Sequence, residues 1–174
     1  SNTIFSAAGT NILAGKQFML NMCGFVGYFE NHTNNPYRVT ISHPSDLVGT
    51  SSLDDQDKSA TNDVFVAPRY AELVDSPVMY AGPDVSTITI DDLKVVLHVY
   101  SPVNKEITAA ALMPDIQKMI TAQKKFLGKI NNTPKYAILT YITTYGKDDA
   151  RGIGALEHNK STTAVFMQTM SSND

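Results

Sequence analysis

With 174 residues the chain has the size of one ordinary domain or two small ones, and a chain of about 150 residues buries about 70% of its unfolded surface, enough for a core. Apolar residues make up 43% and charged residues 18%, a globular rather than a disordered balance. Fourteen Lys+Arg against seventeen Asp+Glu leave a net charge of −3, with one cysteine, Cys23; this excludes a disulfide framework and a Cys-rich zinc site, and argues against a nucleic-acid partner.

In chain order, Phe18-Met19-Leu20-Asn21 and Gly24-Phe25-Val26-Gly27-Tyr28-Phe29 are apolar or aromatic runs that read as short strands. Tyr37-Arg38-Val39-Thr40-Ile41 alternates as a half-buried strand does. Residues 49–62 are polar and read as an exposed loop, and Val64–Ala67 as another short strand. A division is expected near Asp75–Pro77. Beyond it, Ile88-Thr89-Ile90 and Lys94–Tyr100 read as strands. Leu112, Ile116, Met119, Ile120, Gln123, Phe126, Leu127 and Ile130 then recur at intervals of three and four, the pattern of a helix with one core face. Gly128 suits the position past its end. Pro114 suits either a first turn or a kink, if Thr108–Ala111 adds a turn in front. Tyr136–Thr143 and Thr162–Gln168 complete the strands. The expected fold is α+β: a β-rich segment over residues 1–75, then a mixed sheet with one main helix over residues 76–174.

Most candidate motifs fail on spacing. Gly9–Lys16 has five residues between its glycines and Gln17 after the lysine, whereas a phosphate loop needs four and a Ser or Thr. The Gly152-Ile153-Gly154 run is followed by Glu157 at the third glycine position and then by a β pattern, so no helix N-terminus would receive a pyrophosphate. His32, His43, His98 and His158 have no second ligand at metal spacing; His98, on an apolar strand, reads as a hydrogen-bonded core residue. Lys118, Lys124, Lys125 and Lys129 read as a solvated helix face. The sequons at Asn31, Asn131 and Asn159 matter only in a secretory pathway of which the sequence gives no sign. No apolar run approaches the about 18 residues of a membrane span. What remains is Gly152–His158. A glycine-containing strand at a sheet edge can pair with an extended peptide, and a carboxylate at its end can accept hydrogen bonds from a terminal ammonium; a plain turn is the competing reading.

Several ordered segments together resemble the glycyl-aminopeptidase family of zinc metallopeptidases, metallopeptidase family 61. They are Asn11–Lys16 with Phe18–Asn21, Gly24–Phe29, Pro36–Ile41, Tyr70–Pro77, Gln123–Gly128 and, most locally, Gly154-Ala155-Leu156-Glu157-His158. The resemblance implies a thermolysin-like hydrolase whose zinc helix carries His-Glu-x-x-His. It also implies that Gly154–Glu157 lie on the edge strand flanking the cleft, where related aminopeptidases carry Gly-x-Met-Glu-Asn. Glu157 would then bind the free amine of a peptide, Gly154 and Ala155 would supply backbone pairing, and His158 would be a neighbour.

The zinc motif itself is not in this sequence, and Ser171–Asp174 stand about where the family's zinc helix should soon begin. The expectation is therefore a fragment of a zinc-dependent aminopeptidase, comprising the later part of a β domain (residues 1–75) and the front lobe of a catalytic domain (residues 76–174). It would have no catalytic residue and no metal ligand of its own, bind the N-terminus of peptides, be inactive alone and show no tight stoichiometric site in a zinc titration; zinc belongs to the full-length parent. The alternative is a stand-alone non-catalytic peptide-binding or interaction module on the same scaffold. A third reading, Glu157 and His158 as an acid–base pair, conflicts with adjacent strand residues pointing to opposite faces. Exposed β edges in the N-terminal half lead to the expectation of a homo-oligomer. The compartment stays open between a bacterial periplasm and cytoplasm.

Overall fold

The computed structural model describes residues 8–57, 59–130 (without the Lys129 side chain), 132–146, 149–150 and 152–169; the sequon at Asn131 and the tail at Ser171–Asp174 lie outside these residues. In chain order come β1 (Asn11–Leu13), β2 (Gln17–Leu20), β3 (Tyr37–Ser42), β4 (Val48–Ser51), β5 (Asn62–Ala67), α1 (Tyr70–Val74), β6 (Val78–Ala81), β7 (Val85–Ile90), β8 (Leu93–Tyr100), α2 (Ala109–Leu127), β9 (Lys135–Thr143), β10 (Gly154–Glu157) and β11 (Ser161–Met167). They build a four-stranded sheet in the order β1-β2-β6-β4, a two-stranded ribbon β3-β5, and a five-stranded sheet in the order β10-β11-β9-β8-β7. The α+β architecture expected from the sequence is the one observed.

Strand periodicity explains the layering. In β6, Val78 and Tyr80 pack with Met22, Phe65 and Leu73, on the side of the ribbon and α1. The alternate residues Met79 and Ala81 face the other way, onto Ala137 and Leu139 of β9. Every residue of β6 is buried, as a strand between two packed layers must be. The five-stranded sheet is likewise covered twice: the first sheet lies on one face, and α2 lies on the other, where Met113 and Ile120 meet Val95, Leu97 and Ile138. β8 and β9 run parallel with α2 as their connection, a βαβ unit. The first sheet thus takes in Val78–Ala81, one strand beyond the expected division near Asp75–Pro77.

The helix begins at Ala109 because two acceptors wait for its first amides. The Thr108 side chain accepts from Ala111 N–H at 3.1 Å and Asp84 Oδ1 accepts from Ala109 N–H at 3.0 Å. Pro114 therefore stands inside the helix rather than at its start, and the Ala110 carbonyl lacks its usual i+4 donor. Gly128 closes the helix with φ +55°.

Four expectations are corrected. Gly24–Phe29 forms no strand: Met22–Gly24 makes a 3₁₀ turn in which Phe25 and Val26 both donate to Met22 O, and Phe25, Tyr28 and Phe29 are exposed. Residues 49–62 are not simply an exposed loop. Val48–Ser51 is a strand paired with β6, and Thr50, Ser51 and Ser52 are buried, their small side chains fitting against the packed sheet. The apolar stripe of α2 is buried only over its first part. Phe126 is 89% and Ile130 84% exposed, because the helix packs on β7 and β8 and then runs past them. Lys124 also departs from a solvated face, since it pairs with Asp92 in the turn between β7 and β8.

A candidate peptide-holding edge

Gly154–Glu157 forms β10, the outermost strand beside β11 in the five-stranded sheet. The hairpin is antiparallel, with Gly154 opposite Val165, Ala155 opposite Ala164, Leu156 opposite Thr163 and Glu157 opposite Thr162. His158 N–H donates to Ser161 O at 2.9 Å. Antiparallel pairs alternate between hydrogen-bonded and non-hydrogen-bonded, so the main-chain groups of Leu156 and Gly154 turn inward and those of Ala155 and Glu157 turn outward. The edge therefore presents the amides and carbonyls of Ala155 and Glu157, which among the described residues have no neighbouring strand.

Side chains follow the same alternation. Ala155 and Glu157 lie on the face that carries Ala164 and Thr162, and through the β11–β9 register Thr140 and Ile138; that is the α2 face. Glu157 is exposed and has no hydrogen-bond or ion-pair partner among the described residues. Its charge is nevertheless felt by Tyr136 on β9, whose phenol is pushed up first by burial and then by the Glu157 carboxylate. The edge thus combines outward main-chain groups with one unneutralised carboxylate beside a half-buried phenol.

His158 points the opposite way, towards the N-terminal β layers. Its side chain is 8% exposed and its Nδ1 lies 3.1 Å from Asp75 Oδ1. Asp75 Oδ2 accepts from Asn159 N–H at 2.9 Å. Because a carboxylate only accepts, Nδ1 carries the proton in this contact. Of the four residues singled out in the sequence, Gly154, Ala155 and Glu157 thus share one free edge, while His158 serves as an anchor on the other face. Asp75 was not singled out. It lies 83 positions from His158, and a contact at that separation leaves no spacing signal in the sequence.

Elsewhere, His98 is fully buried with Nε2 2.9 Å from Gly82 O, and burial holds its pKa below the ordinary imidazole value. A cavity of about 570 Å³ is lined by Phe29, Glu30, His32, Asn35, Pro36 and Tyr37 and includes none of the four residues of the edge. Among the described residues no group of three or more His, Cys, Asp and Glu is placed to hold a metal ion, so these residues do not fit a zinc site. Among the same residues no helix is long and apolar enough to cross a membrane.

Comparison with known proteins adds a family and a fold. Residues 2–82 match the family model of the peptidase M61 N-terminal domain. Curated protein sequences yield no match. Among solved structures, the chain is similar to the crystal structure of an aminopeptidase N family protein from Idiomarina loihiensis, with TM-score 0.77 and 17% identity over 97% of this chain and 28% of that one. It is also similar to native yeast LTA4 hydrolase, with TM-score 0.50 and 14% identity over 88% of this chain and 23% of that one. At these identities the likeness is one of fold, and the chain spans about a quarter of the length of either structure.

Proposed function

We propose, from the premise that residues 2–82 belong to the peptidase M61 N-terminal domain family, that this chain is the substrate-end-holding part of a zinc-dependent aminopeptidase. In this reading β10 receives the first residues of an extended peptide as an added strand. The outward amides and carbonyls of Ala155 and Glu157 pair with the peptide backbone, and Gly154 leaves room for its approach. The Glu157 carboxylate accepts charge-assisted hydrogen bonds from the terminal ammonium. The zinc that such hydrolysis requires would be held by residues other than those described here, and the chain by itself would bind without cleaving.

One observation carries the reading: an exposed, unneutralised Glu157 stands at the end of an edge strand whose outward main-chain groups are unpaired among the described residues. The family match over residues 2–82 and the shared fold of the Idiomarina loihiensis protein support it. The test is a titration of this chain with alanyl-alanine amide, followed by amide chemical shifts of residues 154–157. The free dipeptide should shift those amides and its N-acetylated form should not. Glu157→Gln should weaken binding about tenfold or more, the loss of a charge-assisted bond of about 1.5–3 kcal/mol. Equal response to free and acetylated peptide, or shifts confined to other strands, would sink the proposal.

A further inference from the structure

The hairpin that carries the proposed edge is held from outside its own sheet. Both oxygens of Asp75, at the C-terminal cap of α1, are used on it: Oδ1 lies 3.1 Å from His158 Nδ1 and Oδ2 accepts from Asn159 N–H at 2.9 Å. A weaker contact runs alongside, Lys160 Nζ to Glu72 Oε2 at 3.9 Å, again from hairpin to α1. These three hairpin residues, His158, Asn159 and Lys160, are consecutive and immediately follow Glu157. Asp75 and Glu72 belong to the helix packed under the N-terminal β layers, where Leu73 is fully buried.

We propose that Asp75 is a positioning residue: its carboxylate clasps the β10–β11 turn to the N-terminal β domain and so fixes where the edge strand and Glu157 stand. The physical reason lies in what else holds β10. Among the described residues it has one neighbour, β11, and three of its four residues are exposed. A four-residue edge strand secured on one side only would fray at its turn end. Asp75 removes that freedom in two ways. It fixes the ring of His158 and its Nδ1–H tautomer, and it orders the turn by taking the Asn159 amide. The N-terminal domain thereby becomes a reference frame for substrate binding as well as a cover for the sheet. This role rests on the proposed function only for its consequence; the clasp itself is a statement about the hairpin.

The test uses this chain and separates the two. Amide hydrogen exchange at Leu156 and His158 is compared in the wild type, Asp75→Leu, Asp75→Asn and Asn159→Pro, together with the affinity for alanyl-alanine amide. Asp75→Leu replaces the carboxylate with a somewhat larger apolar side chain and removes both contacts; Asn159→Pro removes the turn amide, at the cost of fixing φ there, and leaves α1 untouched, so it keeps the question open to measurement if the first variant fails to fold. Both should accelerate exchange at the two amides about tenfold and weaken the dipeptide about tenfold. Asp75→Asn, which retains an acceptor for Asn159 N–H, should recover much of both. Unchanged exchange in Asp75→Leu and Asn159→Pro overturns the clasp, whatever the peptide does. Faster exchange in a protein whose wild type binds no dipeptide leaves the clasp standing and removes the proposed function instead. Equal loss in Asp75→Leu and Asp75→Asn would also overturn it, since a structural defect common to both gives no rescue.

Discussion

At the scale of single residues, several polar side chains are packed inside the N-terminal β layers. Asp63 is buried beside His43, with Nε2 to Oδ1 at 3.5 Å, and Tyr80 stacks at a tilt on His43 with ring centroids 4.8 Å apart. Gly49 lies against both. A Cβ there would come within 2.0 Å of Asp63 Oδ2 and 2.7 Å of Tyr80 Cε1, so Gly49→Ala should lower stability by about 1–3 kcal/mol through overpacking, read as a drop in the urea midpoint. Burial, and then the nearby Asp63 carboxylate, drive the Tyr80 phenol far above its usual range. The linkage sign follows. Above about pH 10 an unfolded tyrosine ionises while native Tyr80 keeps its proton, so the unfolded state binds fewer protons and stability falls as pH rises. Tyr80, at 1% exposure, adds a slope of up to about 1.4 kcal/mol per pH unit. Urea unfolding at pH 9, 10 and 11 should show the decline and Tyr80→Phe should lessen it, the raised Tyr100 and Tyr136 phenols keeping a share; identical slopes would remove Tyr80 as a source.

Among the elements, what could be read from the sequence was what periodicity encodes. The alternation in Tyr37–Ile41 gave β3, and the β-branched and aromatic runs gave β8, β9 and β11. Burial alternates along β3, whereas β8, β9 and β11 are buried almost continuously, as strands covered on both faces are. Gly24–Phe29 misled because aromatic composition imitates a strand while the Met22–Gly24 turn uses up the local hydrogen bonds. Ser51 and Ser52 misled for the opposite reason, since small polar side chains fill a packed layer without an apolar signature. Where α2 starts was undecidable between Thr108 and Pro114 because its second cap, Asp84, comes from the end of another strand connection, 25 positions away. At the edge, Gly154–Glu157 form an outer strand with Glu157 exposed, whereas the contact of His158 depends on Asp75, a residue from another layer. The cap itself is testable. Thr108→Ala should cost about 1 kcal/mol, and an unchanged midpoint would mean that Asp84 alone suffices to start the helix.

At the scale of the whole molecule, the unpaired edges are where another chain could add a strand. Among the described residues the first sheet ends at β1 on one side and at β4 on the other, and the five-stranded sheet ends at β10 and β7. These edges are not equivalent. β10 is pinned at its turn by Asp75 and carries the charge of Glu157, and an inward or terminal charge discourages edge-to-edge pairing. β1 carries no charged residue and exposes Ile12, and β4 exposes Val48. We therefore propose that self-association runs through β1 or β4 in the N-terminal half rather than through β10. Light scattering coupled to size exclusion should report a dimer or larger species at low micromolar concentration. Ile12→Lys should shift it towards monomer if β1 is the contact and Val48→Lys if β4 is, while Leu156→Lys on β10 should leave it unchanged. A monomer throughout would remove the proposal, and dissociation by Leu156→Lys would relocate the contact to the very strand proposed to hold peptide, in which case self-association and peptide would compete for one edge.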